Sequence, residues 1–166
     1  MLGNPHIQLE TVASTNSEAK DRIRSRATEG TVITARHQTA GRGRLDRRWL
    51  DEPDQSLLAS YILYPDRDAE DWGGLPLLTG LAVKRAVDRF ITRDVRLKWP
   101  NDVLAGGKKL SGILVESGRI GEISYVILGI GINVRQRDFA EGMRTEPTSR
   151  YLQSGIHVDI EEVLRA

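Results

Sequence analysis

At 166 residues, with 24 lysines and arginines against 23 aspartates and glutamates, the chain is long enough for one domain with a sizeable core. It is too nearly neutral to be a broadly basic nucleic-acid binder. It has no cysteine, which excludes disulfides, thiolate metal sites and cysteine nucleophiles. No apolar run approaches about 18 residues and no signal-peptide pattern opens the chain, so the expectation is a cytoplasmic enzyme or binding protein with no membrane among its partners.

Ile7 to Val12 reads as an opening strand. Thr15-Asn16-Ser17-Glu18 has the capping-box pattern, with Thr15 as N-cap and Glu18 reaching back, and predicts a helix to about Arg26. Thr31 to Ala35 is a β-branched strand, and Ser56 to Tyr64 is a buried-type strand stopped by Pro65. A polar connection over Asp66 to Gly74 leads into a long helix, Leu75 to Phe90. In it Leu78, Leu81, Ala82, Val83, Ala86, Val87 and Phe90 recur at core spacing. Val95 to Trp99 is a strand closed by Pro100. Val103 to Ala105, Gly106-Gly107 and Lys108 to Glu116 form a hairpin with a two-residue turn. Ser117-Gly118-Arg119 reads as a second turn before a strand from Glu122 to Val134. Gln136 to Gly155 is polar and irregular, and Asp159-x-x-Glu162 starts a last helix of about two turns. The order predicts an α+β fold with one mixed sheet and helices packed on it.

The charge is unevenly placed. Arg36 to Trp49 carries five arginines and one carboxylate, Asp46, and without it the chain has 19 basic and 22 acidic residues. Glycines between arginines let the backbone approach a ligand, and each guanidinium is a planar fork suited to phosphate or carboxylate. The segment therefore reads as an anion cradle. Alone it has two other readings, a solvated surface loop and a short Arg-Gly segment for RNA. The shortness of the run, the near-neutral chain and the single aromatic, Trp49, argue against the second. Four further signals are modest alone. Lys98-Trp99-Pro100-Asn101-Asp102 puts an amide and a carboxylate past a strand end, where turn chemistry also explains them. Lys109 opens an apolar strand and either snorkels to water or aims a point charge into a site. Gly129 and Gly131 lie inside a strand, as where a ligand or backbone comes close, without the third glycine of a dinucleotide fingerprint. Ser14-Thr15-Asn16 serves a helix start or a polar ligand there.

In combination and in this order, the five segments resemble biotin protein ligase. The motifs that carry the likeness are Ser14-Thr15-Asn16, Gln38-Thr39-Ala40-Gly41-Arg42-Gly43-Arg44 with Arg47 and Trp49, and Lys98-Trp99-Pro100-Asn101-Asp102. Lys109-Leu110-Ser111-Gly112-Ile113-Leu114-Val115-Glu116 and Gly129-Ile130-Gly131-Ile132-Asn133 complete it. The resemblance implies the α+β core shared with class II aminoacyl-tRNA synthetases. It implies joining of biotin to ATP as biotinyl-5′-AMP, then transfer to a lysine of a carrier domain of a biotin-dependent carboxylase. By matched position, Ser14, Thr15, Asn16 and Gln38 bind the biotin head, and Gly112 and Gly129 line its tail. Arg42, Gly43 and Arg44 hold the biotin carboxylate and ATP phosphates in a loop that orders on binding. Arg47 and Trp49 belong to the ATP site, and Lys109 bridges the attacking carboxylate and the α-phosphate. Asp102 acts through Mg²⁺, and Asn133 contacts adenine.

Leu45 and Asp46 stand where many members carry arginine or glycine, and Asp51 to Gln55 is an unusually acidic approach to the next strand. The resemblance also implies a catalytic domain over 1–166, cut off in its last helix, without the family's C-terminal domain or the DNA-binding module of repressor-type members. Two alternatives are a lipoate- or octanoate-type acyl ligase and a non-catalytic biotin- or nucleotide-binding remnant.

Overall fold

The computed structural model describes residues 2–45, 47–66 and 69–166, the side chains of 69–71 excepted. Asp46 and part of the connection expected over 66–74 thus lie outside the described residues; Ala69–Gly74 is a short 3-10 helix. Among the described residues seven strands form one mixed sheet: β1 (His6–Val12), β2 (Val32–Gln38), β3 (Ser56–Leu63), β4 (Val95–Lys98), β5 (Asp102–Ala105), β6 (Lys108–Ile120) and β7 (Ile123–Asn133). Their order across the sheet is β1-β2-β3-β7-β6-β5-β4, with β1 and β2 parallel and every other pair antiparallel. Among the described residues four α-helices accompany it: α1 (Thr15–Arg24), α2 (Leu75–Asp88), α3 (Arg150–Ser154) and α4 (Ile160–Leu164). Among the described residues, no helix is long and apolar enough to cross a membrane.

Strand alternation divides the core in two. Leu57, Ala59, Ile113, Ile132 and Val134 face one side and pack with Val83 and Val87 of α2 and Val163 of α4. Ile33, Ile62 and Ile127 face the other and pack under Ala19 and Ile23 of α1. The Gly106-Gly107 turn is as expected: both residues have positive φ, 56° and 79°, which fits a tight hairpin turn.

The expected second turn at Ser117-Gly118-Arg119 is instead part of β6, paired with Val126, Tyr125 and Ser124, and the chain reverses at Gly121. Gly118 is needed there because the Tyr125 hydroxyl lies 2.6 Å from where its Cβ would be. The core face of α2 is also rotated from the expected one. Thr79, Gly80, Val83 and Val87 are buried, whereas Leu78 and Leu81 are exposed, at 62% and 37%. Gly80 sets that rotation, since a Cβ there would stand 3.2 Å from Leu97 and 3.4 Å from Ile113. β2 runs three residues past the expected Ala35, so Gln38 ends a strand. The irregular segment contains α3, whose N-cap Ser149 accepts from the Leu152 N–H.

Candidate active site

The site floor is two rows of residues across four adjacent strands, β3, β7, β6 and β5. Strand register aligns Leu58, Gly131, Gly112 and Asp102 in one row, and Ser60, Gly129 and Leu114 in the next. Removing side chains at three of these positions opens space above the sheet, and the chain fills part of it with its own groups. A Cβ at Gly129 would lie 2.9 Å from Asn16 Cγ, and one at Gly131 would lie 2.7 Å from the Trp49 indole. The two glycines expected to admit a close neighbour do so.

The start of α1 departs from the capping box. Ser14 is the N-cap, with no side-chain cap bond, and Glu18 pairs with Arg22 at 2.7 Å instead of reaching back. The reason is a competing partner. Gln38 Oε1 accepts from the Thr15 N–H at 2.7 Å and from its hydroxyl at 3.1 Å. Ser60 Oγ lies 2.8 Å from Thr15 Oγ1 and 2.5 Å from Asn16 Oδ1. Asn16 Nδ2 donates to the Leu114 carbonyl at 3.2 Å and to Glu116 Oε2 at 2.7 Å. Ser14, Thr15 and Asn16 are all buried, so these groups form a fixed polar wall.

The Arg-rich loop leaves β2 at Thr39, whose N–H donates to Val12 O, while that of Ala40 donates to Ala13 O. It doubles back: Gly43 N–H donates to Arg47 O at 2.7 Å and Trp49 N–H to Gly41 O at 3.0 Å. Asp51 ties down the return, with Oδ2 2.9 Å from His37 Nδ1 and 3.2 Å from the Gln38 N–H. Asp54 takes Arg36 through both oxygens, at 2.5 and 2.7 Å, and Arg36 holds its carboxyl below the usual range. The acidic approach noted in the sequence thus anchors the far end of the loop. Arg42 makes a bidentate pair with Glu116, at 3.0 and 2.8 Å. Arg42, Arg44, Arg47 and Arg48 are solvent-exposed trypsin sites. Cleavage after them should slow when biotin and MgATP are added together, as followed by peptide mass spectrometry. Equal cleavage in both conditions would count against closure over a ligand.

Lys109 Nζ lies 2.7 Å from Asp102 Oδ1, both partly shielded. The hairpin turn brings them together, because it sets β5 beside β6. The cavity above the glycines has a volume of about 110 Å³. Ser14, Thr15, Asn16, Gln38, Arg42, Gly43, Arg44, Arg47, Trp49, Asp102, Lys109, Gly112 and Gly129 all line it. Asn133 does not: it is 4% exposed and its Nδ2 donates to the Thr148 carbonyl at 2.9 Å. Sequence reasoning missed Asn101, Leu58 and Arg48 as lining residues, and Ser60 and Glu116 as supports of the polar wall and Arg42; Gly131, read as a point of close approach, lines the cavity too. Asn101 and Glu116 stand inside recognised motifs, which was the available signal. Ser60 carried none, because only strand register puts it beside Gly129.

Among the described residues the lining includes five cations (Arg42, Arg44, Arg47, Arg48, Lys109) and one carboxylate, Asp102. Such a cation-rich lining over a glycine floor suits anionic groups. The chain belongs to the biotin/lipoate A/B protein ligase family, whose model matches residues 9–133. It is 41% identical over 137 residues to the biotin–[acetyl-CoA-carboxylase] ligase of Mycobacterium tuberculosis, covering 78% of this chain and 50% of that protein. It is 35% identical over 168 residues to the bifunctional ligase/repressor BirA of Bacillus spizizenii, covering 99% and 52%. The Aquifex aeolicus biotin protein ligase in complex with biotin and ATP superposes with a TM-score of 0.84 at 38% identity, covering 98% of this chain and 66% of that one. The chain therefore spans about half the length of these curated relatives.

Proposed function

We propose that this chain is a catalytic domain that joins biotin to ATP, forming biotinyl-5′-AMP and pyrophosphate, and passes biotin to a lysine of a carboxyl carrier domain. In the first step a biotin carboxylate oxygen bonds to the α-phosphorus and the bond to the β-phosphate breaks, releasing pyrophosphate. In the second the carrier amine attacks the acyl carbon and AMP leaves. The observation that carries this reading is the five-cation, one-carboxylate lining. Two anions repel as they approach, and fixed cations placed where charge builds lower that barrier.

Ser14, Thr15, Asn16 and Gln38 hold the ureido head, since the wall offers both donors and acceptors. Gly112 and Gly129 leave room for the tail. Arg42, Gly43 and Arg44 bind the carboxylate and phosphates, and Lys109 bridges the reacting pair. Arg47 and Trp49 serve the ATP end.

Asp102 suits Mg²⁺. Among the described residues no cluster of three or more His, Asp or Glu exists, so a metal held here takes one carboxylate plus phosphate and water oxygens, as Mg²⁺ does. When bound, the ion neutralises phosphate charge. The chemistry of this site is that of small anions, and neither nucleic acid nor membrane enters the reading; the reaction belongs in the cytoplasm.

Pyrophosphate exchange into ATP tests the proposal. It should depend on biotin and not respond to lipoate or octanoate. Exchange driven by lipoate or octanoate alone would redirect the assignment to an acyl ligase of that type. Biotin binding without exchange would identify a non-catalytic binder.

A further inference from the structure

Lys109 sits where the sheet stops supporting it. β7 pairs with β6 only as far as Ser111, opposite Ile132. On the other side the β5 register slips: Val103 faces Ser111 and Leu104 faces Lys109, leaving Leu110 as an extra residue. A bulge of this kind re-aims the neighbouring side chain. The backbone of Lys109 is therefore held from the β7 side by another segment. Its N–H donates to Glu146 O at 2.7 Å, and its carbonyl accepts from Thr148 N–H at 2.8 Å, with Lys109 bridged in parallel to Pro147.

This strap is itself tied down at one buried residue. Thr148 is 1% exposed. Its carbonyl accepts from Asn133 Nδ2 at 2.9 Å and its hydroxyl from Gln153 Nε2 at 2.8 Å. Asn133 has thus committed its amide nitrogen to the strap, and its buried Oδ1 has no partner among the described residues. We propose that Asn133 is a positioning residue for Lys109: through Thr148 it fixes the bulged backbone from which the ammonium reaches Asp102. The effect on catalysis rests on the adenylation reading above; the mechanical link does not.

The test uses the 166-residue chain carrying Asn133→Asp, which replaces the donor with an acceptor facing the Thr148 carbonyl. Thr148→Val removes the Gln153 tether without a buried charge, and Thr148→Ser restores it. Reductive methylation of Lys109 is followed by peptide mass spectrometry, with Lys84 of α2 as internal reference. Asn133→Asp should raise the Lys109 rate at least threefold relative to Lys84. Thr148→Val should move it the same way, and Thr148→Ser should return it to the starting value. In pyrophosphate exchange, kcat should fall at least fivefold in Asn133→Asp with KM for ATP within twofold. Unchanged Lys109 labelling, or a raised KM for ATP at constant kcat, would overturn the proposal and leave Asn133 a nucleotide contact only. If the unmodified chain shows no exchange, the adenylation reading fails while the labelling rates still decide the strap. If Asn133→Asp does not fold, the two Thr148 variants decide it alone.

Discussion

Lys109→Ala should leave the protein folded and slow biotin adenylation roughly 30- to 1,000-fold, about 2–4 kcal/mol of lost transition-state stabilisation. The two halves of that expectation have separate grounds. Lys109 is held mainly by backbone bonds to Glu146 and Thr148, which alanine keeps. Its ammonium is only partly shielded and pairs with Asp102, so its loss removes no core contact. The chemistry is different. Lys109 is the cation on the floor side of the cavity, whereas the arginines come from the loop above. A lysine that bridges two anions as they bond has more to lose in the transition state than in either bound reactant. Thermal unfolding combined with single-turnover adenylate formation checks both halves. Normal adenylation in the variant would remove Lys109 from the chemistry, and collapse of the fold would mean that the pair with Asp102 is structural.

Gly129→Ala should abolish measurable biotin binding and cost about 1–3 kcal/mol of stability, the usual range for an overpacked interior. The new methyl would stand 2.9 Å from Asn16 Cγ, closer than real contacts allow. Asn16 cannot swing away cheaply. It is bonded to Ser60, the Leu114 carbonyl and Glu116, and it is buried. Displacing it leaves those groups without partners and breaks the polar wall proposed to hold the biotin head. Titration calorimetry with biotin and chemical denaturation read the two effects. Wild-type affinity would show that Asn16 is not part of the biotin site.

What could be read from the sequence was local. The Gly106-Gly107 turn needs two positive φ values, and glycine supplies them without reference to the rest of the chain. Paired glycines in β7 signalled close approach because they carry no Cβ, which is equally local. Readings that depended on distant partners failed. Thr15 looked like a cap because Glu18 stood three residues on, but the Gln38 side chain, 23 residues away, takes its hydroxyl. The apolar face of α2 was misplaced because its leucines fit the helical period as well as Val83 and Val87 do. What decided was Gly80 against Leu97 and Ile113. The strap behind Lys109 had no signature at all. Its bonds to Lys109 are backbone bonds between segments 37–39 residues apart, which leave no local pattern in the sequence.

The spacing of the site along β7 has its own consequence. Gly129, Gly131 and Asn133 meet in turn Asn16, Trp49 and the strap, one every second residue on one face. Strand geometry makes each interval about 6.7 Å. β7 is therefore a graduated rod, and its markings cannot drift singly: one residue inserted between Gly129 and Gly131 would turn everything beyond it to the opposite face. An added residue is accommodated best outside that rod, as at the Gly121 turn, where it shifts no mark.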